Sequence, residues 1–226
     1  MIFRVTTVIS LEIERRRITI PAEMQGVVTA SSERARYRNL LQKSLASQLR
    51  YTETLGSAIS ETTLKRMVTK YSEQLAFQPL TELRHWFTYR SGAYIEPGYP
   101  PLFYGAVKTS AFSPNKSAES AIGEAIAGCL GQRLYRCRKL ARPNHDYPDI
   151  VMERPDQTYL VEAKATLASR EKIRQIADEE IPSMATMVIS SKLMDTRPVV
   201  GLIVGTFFDS ENHYSVCITE IDYDET

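Results

Sequence analysis

With 226 residues, 43% of them hydrophobic and 24% charged, the chain can bury a sizeable core, and its composition excludes disordered, fibrous and disulfide-stapled classes. No apolar run approaches the ~18–20 residues of a membrane span, and the N-terminus lacks the basic-then-apolar pattern of a secretory leader. The net charge of +1 hides a split: residues 1–110 carry fifteen Lys and Arg against nine Glu and no Asp, a balance of +6, and residues 111–226 a balance of −5. Such asymmetry suggests a polyanion, nucleic acid above all, on the basic half, with basic residues on solvated helix faces as the commoner alternative.

The chain opens with two strand-like runs, Ile2–Ile9 and Ile13–Ile20. Arg15, Arg16 and Arg17 are expected to keep an exposed strand soluble and unpaired, with a phosphate-contacting edge as the functional alternative. A helix is predicted from Ser31 or Ser32, where serine caps and Glu33 sits in the first turn. Its stripe is Tyr37, Leu40, Leu41, Leu45 and Leu49. A second helix, Glu61 to Phe77, carries Leu64, Met67, Val68, Tyr71 and Leu75. A third begins at Pro79 and carries Leu80, Leu83 and Phe87. Stripes of this kind form core. Tyr94–Tyr104 (YIEPGYPPLFY) reads as an ordered, aromatic-rich linker, and an organisational boundary is placed near Tyr104–Ser113.

A helix is predicted from Ser113–Ser117 to Leu130, with Gly131 as its C-cap. Its buried stripe is Ala118, Ile122, Ala125, Ile126 and Cys129; Glu119 falls at the stripe's edge and Glu124 nearly opposite. Leu134–Cys137 reads as a strand, followed by a loop from Arg138 to Tyr147 whose His145 is kept out of the catalytic set. The three cysteines, Cys129, Cys137 and Cys217, are odd in number and lack zinc-ligand spacing, so a reduced, cytoplasmic setting is expected.

The most informative stretch is Asn144–Thr166 (NHDYPDIVMERPDQTYLVEAKAT). Asp149–Met152 and Thr158–Ala163 read as the strands of a hairpin around Arg154–Gln157. Alternation places Glu162 and Lys164 on one face, with Asp149 at the start of the partner strand. Two carboxylates held that close repel each other unless a cation joins them, and a hard ion such as Mg²⁺ suits oxygen ligands. Downstream, Ser169–Glu180 reads as a helix with Ile173, Ile176 and Ala177 inward, ended by Pro182 and followed by a shorter helical turn. Val199–Phe208 is a continuous apolar run expected of a strand buried on both faces, and Tyr214–Ile221 a last strand. There is no P-loop, no GxSxG elbow and no HExxH.

Pro148-Asp149 followed by Glu162-Ala163-Lys164 resembles the PD-(D/E)xK signature of the restriction-endonuclease-like nuclease superfamily, over about half the chain. The resemblance implies an α/β fold in two parts: a restriction-endonuclease-like core (helix, β-meander, helix, two strands) over residues 111–226, preceded by a mainly helical, basic N-terminal region with short strands over 1–110. It implies a Mg²⁺- or Mn²⁺-dependent nuclease that hydrolyses phosphodiester bonds, in DNA by preference, and leaves a 5′-phosphate. Repair, restriction and antiviral defence are all compatible. By the same resemblance, Asp149, Glu162 and the Ala163 carbonyl would hold metal, and Lys164 would orient water or neutralise charge. Glu119 would be the helix carboxylate, with Glu124 in reserve. Arg170, Lys172 and Gln175, on the helix after the motif, would contact the nucleic-acid backbone. A homodimer or a motor or helicase partner fits such small nucleases. The rival expectation is a nuclease-fold nucleic-acid-binding or interaction subunit that does not cut.

Overall fold

The computed structural model describes residues 7–31, 35–72, 78–90, 116–143, 147–192 and 197–224. The expected run through Ile2, the Ser32 cap, Leu75, the Tyr94–Tyr104 linker with its boundary, and His145 lie outside the described residues.

Alternation of apolar side chains explains the first strand. Ile9, Leu11 and Ile13 occupy odd positions, Ile18 and Ile20 even ones, so one extended segment buries one face early and the other face late. Instead of two runs, a single strand β1 spans Val8–Pro21. The short helix α1 (Gln25–Ser31) and α2 (Ala35–Ser44) follow. Of the predicted stripe on α2, Leu41 and the following Leu45 are buried, while Leu40 is exposed. Strand β2 (Glu53–Ser60, ETLGSAIS) went unrecognised in the sequence because only Ile59 of it is fully buried, leaving almost no alternation to read. Helix α3 (Glu61–Tyr71) is capped by Ser60, whose hydroxyl accepts from the Thr63 N–H, and α4 spans Pro79–Arg90.

The remaining elements are α5 (Lys116–Leu134), β3 (Arg138–Ala141), β4 (Ile150–Arg154), β5 (Gln157–Thr166), α6 (Arg170–Lys192), β6 (Val199–Ser210) and β7 (His213–Asp224). Three boundaries differ from expectation. Gly131 does not cap α5 but lies buried inside it, where a Cβ would stand 2.5 Å from the Met152 sulfur, and the helix continues to Leu134. The first meander strand therefore starts at Arg138 and not at Leu134. Pro182 does not end α6: Ile173, Ala177, Ile181, Met184, Ala185, Val188 and Ile189 form one buried stripe across it. Burial of that stripe outweighs the ~3 kcal/mol an interior proline costs.

Among the described residues, seven strands form one mixed sheet in the order β2-β1-β7-β6-β5-β4-β3. β3, β4 and β5 make an antiparallel meander; α6 then crosses over so that β6 lies parallel to β5. β7 returns antiparallel to β6, and β1 lies parallel to β7. Far from being a minor addition to a helical region, β1 is a 14-residue strand paired along most of its length with β7. Arg15 also pairs with Glu53 of β2, whereas Arg16 and Arg17 lie past the end of β2 and have a strand partner on the β7 side only. Helices α3, α4 and α5 cover one face, around Tyr71, Leu83, Ile122 and Ile126. Helices α1, α2 and α6 cover the other, around Val28, Leu41, Ala177 and Val188. Two covered faces explain the unbroken apolar run of β6. Among the described residues no helix is long and apolar enough to cross a membrane.

Candidate active site

The hairpin strands have unequal reach. β4 begins at Ile150, paired with Val161, while β5 continues to Thr166 with β6 on its other side only. From Glu162 onward one margin of β5 thus lacks a strand partner, and its backbone donors must be satisfied otherwise. Asp149, immediately before β4, does this: its Oδ2 accepts the Ala163 N–H at 2.8 Å. In return the Asp149 N–H donates to Glu162 Oε2 at 3.2 Å. The two carboxylates are therefore locked side by side by each other's strands.

Glu162 is 2% exposed. Its Oε1 lies 2.8 Å from the Lys164 ammonium, which also reaches Glu180 Oε1 on α6 at 3.1 Å. Lys164 leaves β5 on the face that α6 covers, as the two-residue period dictates. On the opposite face, α5 approaches β5 closely at Gly123, where a Cβ would stand 2.9 Å from the Ala165 Cβ. That approach brings the next residue, Glu124, to within electrostatic reach of Asp149. Glu124 is 3% exposed and pairs with Arg142 at 3.1 Å.

Burial, and then repulsion from Asp149, pushes the Glu162 carboxyl up to about 7. Asp149 is likewise raised by burial, and further by Glu124; the Ala163 N–H, Lys164 and Arg142 oppose the rise. Burial alone would lower the Lys164 ammonium, yet its bonds to Glu162 and Glu180 hold it above its ordinary value. The Tyr147 hydroxyl is buried without a hydrogen-bond partner among the described residues, and burial followed by the charges of Glu162, Glu180 and Asp149 raises its pKa.

The structure brings Asp149, Glu162, Ala163 and Lys164 together, with Glu124 in electrostatic reach, while the described contacts of Glu119, Arg170, Lys172 and Gln175 lie elsewhere. Glu119 lines a cleft of about 420 Å³ with Lys116, Ser120, Thr166 and Leu167, where burial raises it to about 7. Glu124 was expected opposite the buried stripe, but α5 is buried on all sides in its middle, and Glu124 is the helix carboxylate whose charge reaches Asp149. Arg170 is bound elsewhere: both its terminal nitrogens meet Glu12 at 2.8 Å, and one donates to Ser215 at 2.6 Å. Lys172 and Gln175 are exposed and bonded to each other at 3.2 Å. Glu180, Arg142 and Tyr147 escaped the sequence reading. Glu180 lies in an ordinary acidic helix run, and only the position of Tyr147, two residues before Asp149, was a local hint.

Two carboxylates and an ammonium at a strand margin form an oxygen-rich donor pair beside a fixed cation. Asp149 Oδ1 carries no hydrogen bond among the described residues, and the raised carboxyls mark an excess of negative charge that a hard divalent cation would neutralise. No group of three or more His, Cys, Asp or Glu side chains is arranged around a metal position among the described residues. A Mg²⁺-type site needs only one or two carboxylates with water and phosphate, so the pair fits that ion. Comparison with protein-family models, with curated proteins and with solved structures finds no match to this chain.

Proposed function

We propose that the chain is a metal-dependent nuclease of the restriction-endonuclease-like, PD-(D/E)xK type, hydrolysing phosphodiester bonds in DNA. The observation that carries this reading is the convergence of Asp149, Glu162 and Lys164 at the free margin of β5. The order of meander, crossover helix and two further strands agrees with it. A divalent cation, Mg²⁺ or Mn²⁺, held by Asp149 and Glu162 with the Ala163 carbonyl, would polarise the phosphoryl oxygen and acidify a bound water. Asp149 fixes the Ala163 amide and thereby the strand that carries both other groups. Lys164, steadied from α6 by Glu180, presents its ammonium to the attacking water and to the charge that builds on the phosphoryl oxygens.

Purified wild type and Asp149→Ala, assayed on linear, supercoiled and branched DNA with Mg²⁺, test the reading. Wild type should cut and the variant should not; equal activity in both rejects the assignment. One observation favours a second reading, a nucleic-acid-binding subunit that does not cut: both Glu162 oxygens already hold donors, the Lys164 ammonium and the Asp149 N–H. That protein would shift DNA in EDTA and yield no product with any metal.

A further inference from the structure

A second charged feature lies at the other end of the β4–β5 hairpin. A cleft of about 480 Å³ is lined by Arg136, Arg138, Arg154 and Arg197, with Glu153 and Pro155. Four guanidinium groups thus surround one carboxylate. Glu153 holds Arg138 at 2.7 Å and Arg197 at 3.6 Å, and so fixes two forks. Arg154 pairs with Asp156 at 2.8 Å and lies over the Tyr159 ring.

Arg136 differs from the other three. It is exposed and has no ion pair or hydrogen-bond partner among the described residues. Its φ of 55° puts it in the left-handed region just past the end of α5, where the Cys137 N–H turns back to the Gly131 carbonyl at 3.1 Å. Glycine or asparagine suits such a place, and a larger side chain there costs about 1 kcal/mol. An arginine thus occupies a place where the backbone favours glycine, and its guanidinium has no partner among the described residues.

The cleft also faces the right way. Asp149, Val151 and Glu153 alternate onto one side of β4, the side on which Val151 packs toward α6, and Arg138 pairs with Glu153 across the strands. Glu162 and Lys164 leave β5 on that same side. Asp149 and Glu153 are four residues apart, about 13 Å at the rise of a strand, and a nucleic-acid strand advances ~3.4 Å per phosphate along its axis. Forked, weakly hydrated guanidiniums match phosphate geometry better than ammonium groups do.

We propose that this arginine cleft is a phosphodiester-backbone site, in which Arg136, Arg138 and Arg197 hold phosphates of a nucleic-acid strand a few nucleotides from the Asp149–Glu162 pair. Its place on the substrate path rests on the nuclease reading, while the binding itself needs neither metal nor cleavage.

Fluorescence anisotropy of the full chain in EDTA tests it, with labelled single-stranded DNA, duplex DNA and RNA titrated between 50 and 200 mM salt. Arg136→Gly combined with Arg138→Gln should weaken binding at least about tenfold and reduce the duplex salt slope by about 1.8, from ~0.9 per lost phosphate contact. The arms with DNA and RNA show which backbone the cleft prefers. Arg136→Gly relaxes the backbone while removing the charge, so affinity should fall while thermal stability holds or rises, which separates lost contact from lost fold. Arg136→Lys, which keeps the charge without the fork, should retain only part of the affinity, and Lys43→Ala on α2 all of it. Unchanged affinity and slope in the double variant overturn the proposal, as does a wild type that binds no oligonucleotide or binds polyglutamate equally well. Cleavage with Mg²⁺ is read separately. Wild-type cutting with arginine variants unaltered in affinity sinks the cleft alone, whereas arginine-dependent binding without any cutting sinks the nuclease reading alone.

Discussion

Along β1 every charged side chain from Glu12 to Arg17 faces an opposite charge, whereas at the margin of β4 and β5 one ammonium, that of Lys164, is shared by two carboxylates. Glu12 meets Arg170, Glu14 meets Arg174, and Arg15, Arg16 and Arg17 meet Glu220, Asp178 and Asp222. At the other place Glu162 and Glu180 share Lys164, Glu124 pairs with Arg142, and Asp149 lies within electrostatic reach of both cations. The electrostatic consequence follows the count. Bonding to Arg170 lowers Glu12, while burial and Asp149 raise Glu162. Charges matched by opposite partners fasten strands and helices together; carboxylates raised by burial and by one another are where a binding function is to be sought.

The largest test of that distinction is kinetic. Lys164→Ala removes a cation from the crowded site and should cut the rate of Mg²⁺-dependent DNA cleavage by about 10²–10³-fold, the loss typical of one preorganised electrostatic group. Glu180→Gln should cost less, because Glu162 still holds the ammonium. Initial rates on linear DNA at saturating Mg²⁺ measure both. A Lys164→Ala enzyme as fast as wild type would make this cluster merely another fastening.

A second large effect should come from the matched region and appear in stability. Arg16 is 3% exposed, donates to Thr219 and to the Leu49 carbonyl at 2.8 Å each, pairs with Asp178, and lies 4.6 Å over the Tyr51 ring. Arg16→Ala strands these acceptors and should cost about 3 kcal/mol of unfolding free energy, read from urea denaturation. Cleavage well below the melting temperature should be unaffected.

The two regions were not equally legible. The hairpin, Glu162 and Lys164 on one face, and the β6 run could be read because local patterns encode them: alternation, a two-residue turn, an apolar stretch. The expectation of an unpaired strand failed at the β1 arginines because their partner is β7, some two hundred residues later, and no local pattern announces a parallel partner. Pro182 and Gly131 were taken as stops, since propensity is a weak prior that burial overrode. Glu124 was hidden by a helix buried on all sides, where angular position on a stripe carries no information.

A pH series sharpens the contrast further. The Glu162 carboxyl titrates near 7 in the native chain, against roughly 4.3 for a free glutamate. Between those values the folded state holds the proton more tightly, so stability without metal falls as pH rises from about 4.3 through 7 and levels off above. Glu162→Gln should flatten that fall by on the order of 3–4 kcal/mol in EDTA. Mg²⁺ should raise the melting temperature of wild type more at pH 8 than at pH 5.5, and should do little for Glu162→Gln. Glu119, also near 7 but in its own cleft, contributes with the same sign. Glu119→Gln should therefore flatten the metal-free curve while leaving the Mg²⁺ gain intact.

The smallest effect decides how Arg170 is to be understood. At the first turn of α6 an arginine looks like a phosphate contact, yet its fork is closed on Glu12 and Ser215, with side-chain exposures of 29% and 36% for the ion pair. A partly solvated bidentate pair of this kind contributes about 1 kcal/mol. Arg170→Ala should lower the unfolding free energy by that amount and leave the salt dependence of DNA binding unchanged. If Arg170 opened its bond to Glu12 to hold a phosphate, the slope would instead fall by ~0.9. Glu12→Gln separates the cases, since loosening the pair should free Arg170 and strengthen DNA binding only if the guanidinium can reach the strand. With α6 anchored to β1 through both Arg170 and Arg174, the expectation is weaker folding and unaltered binding.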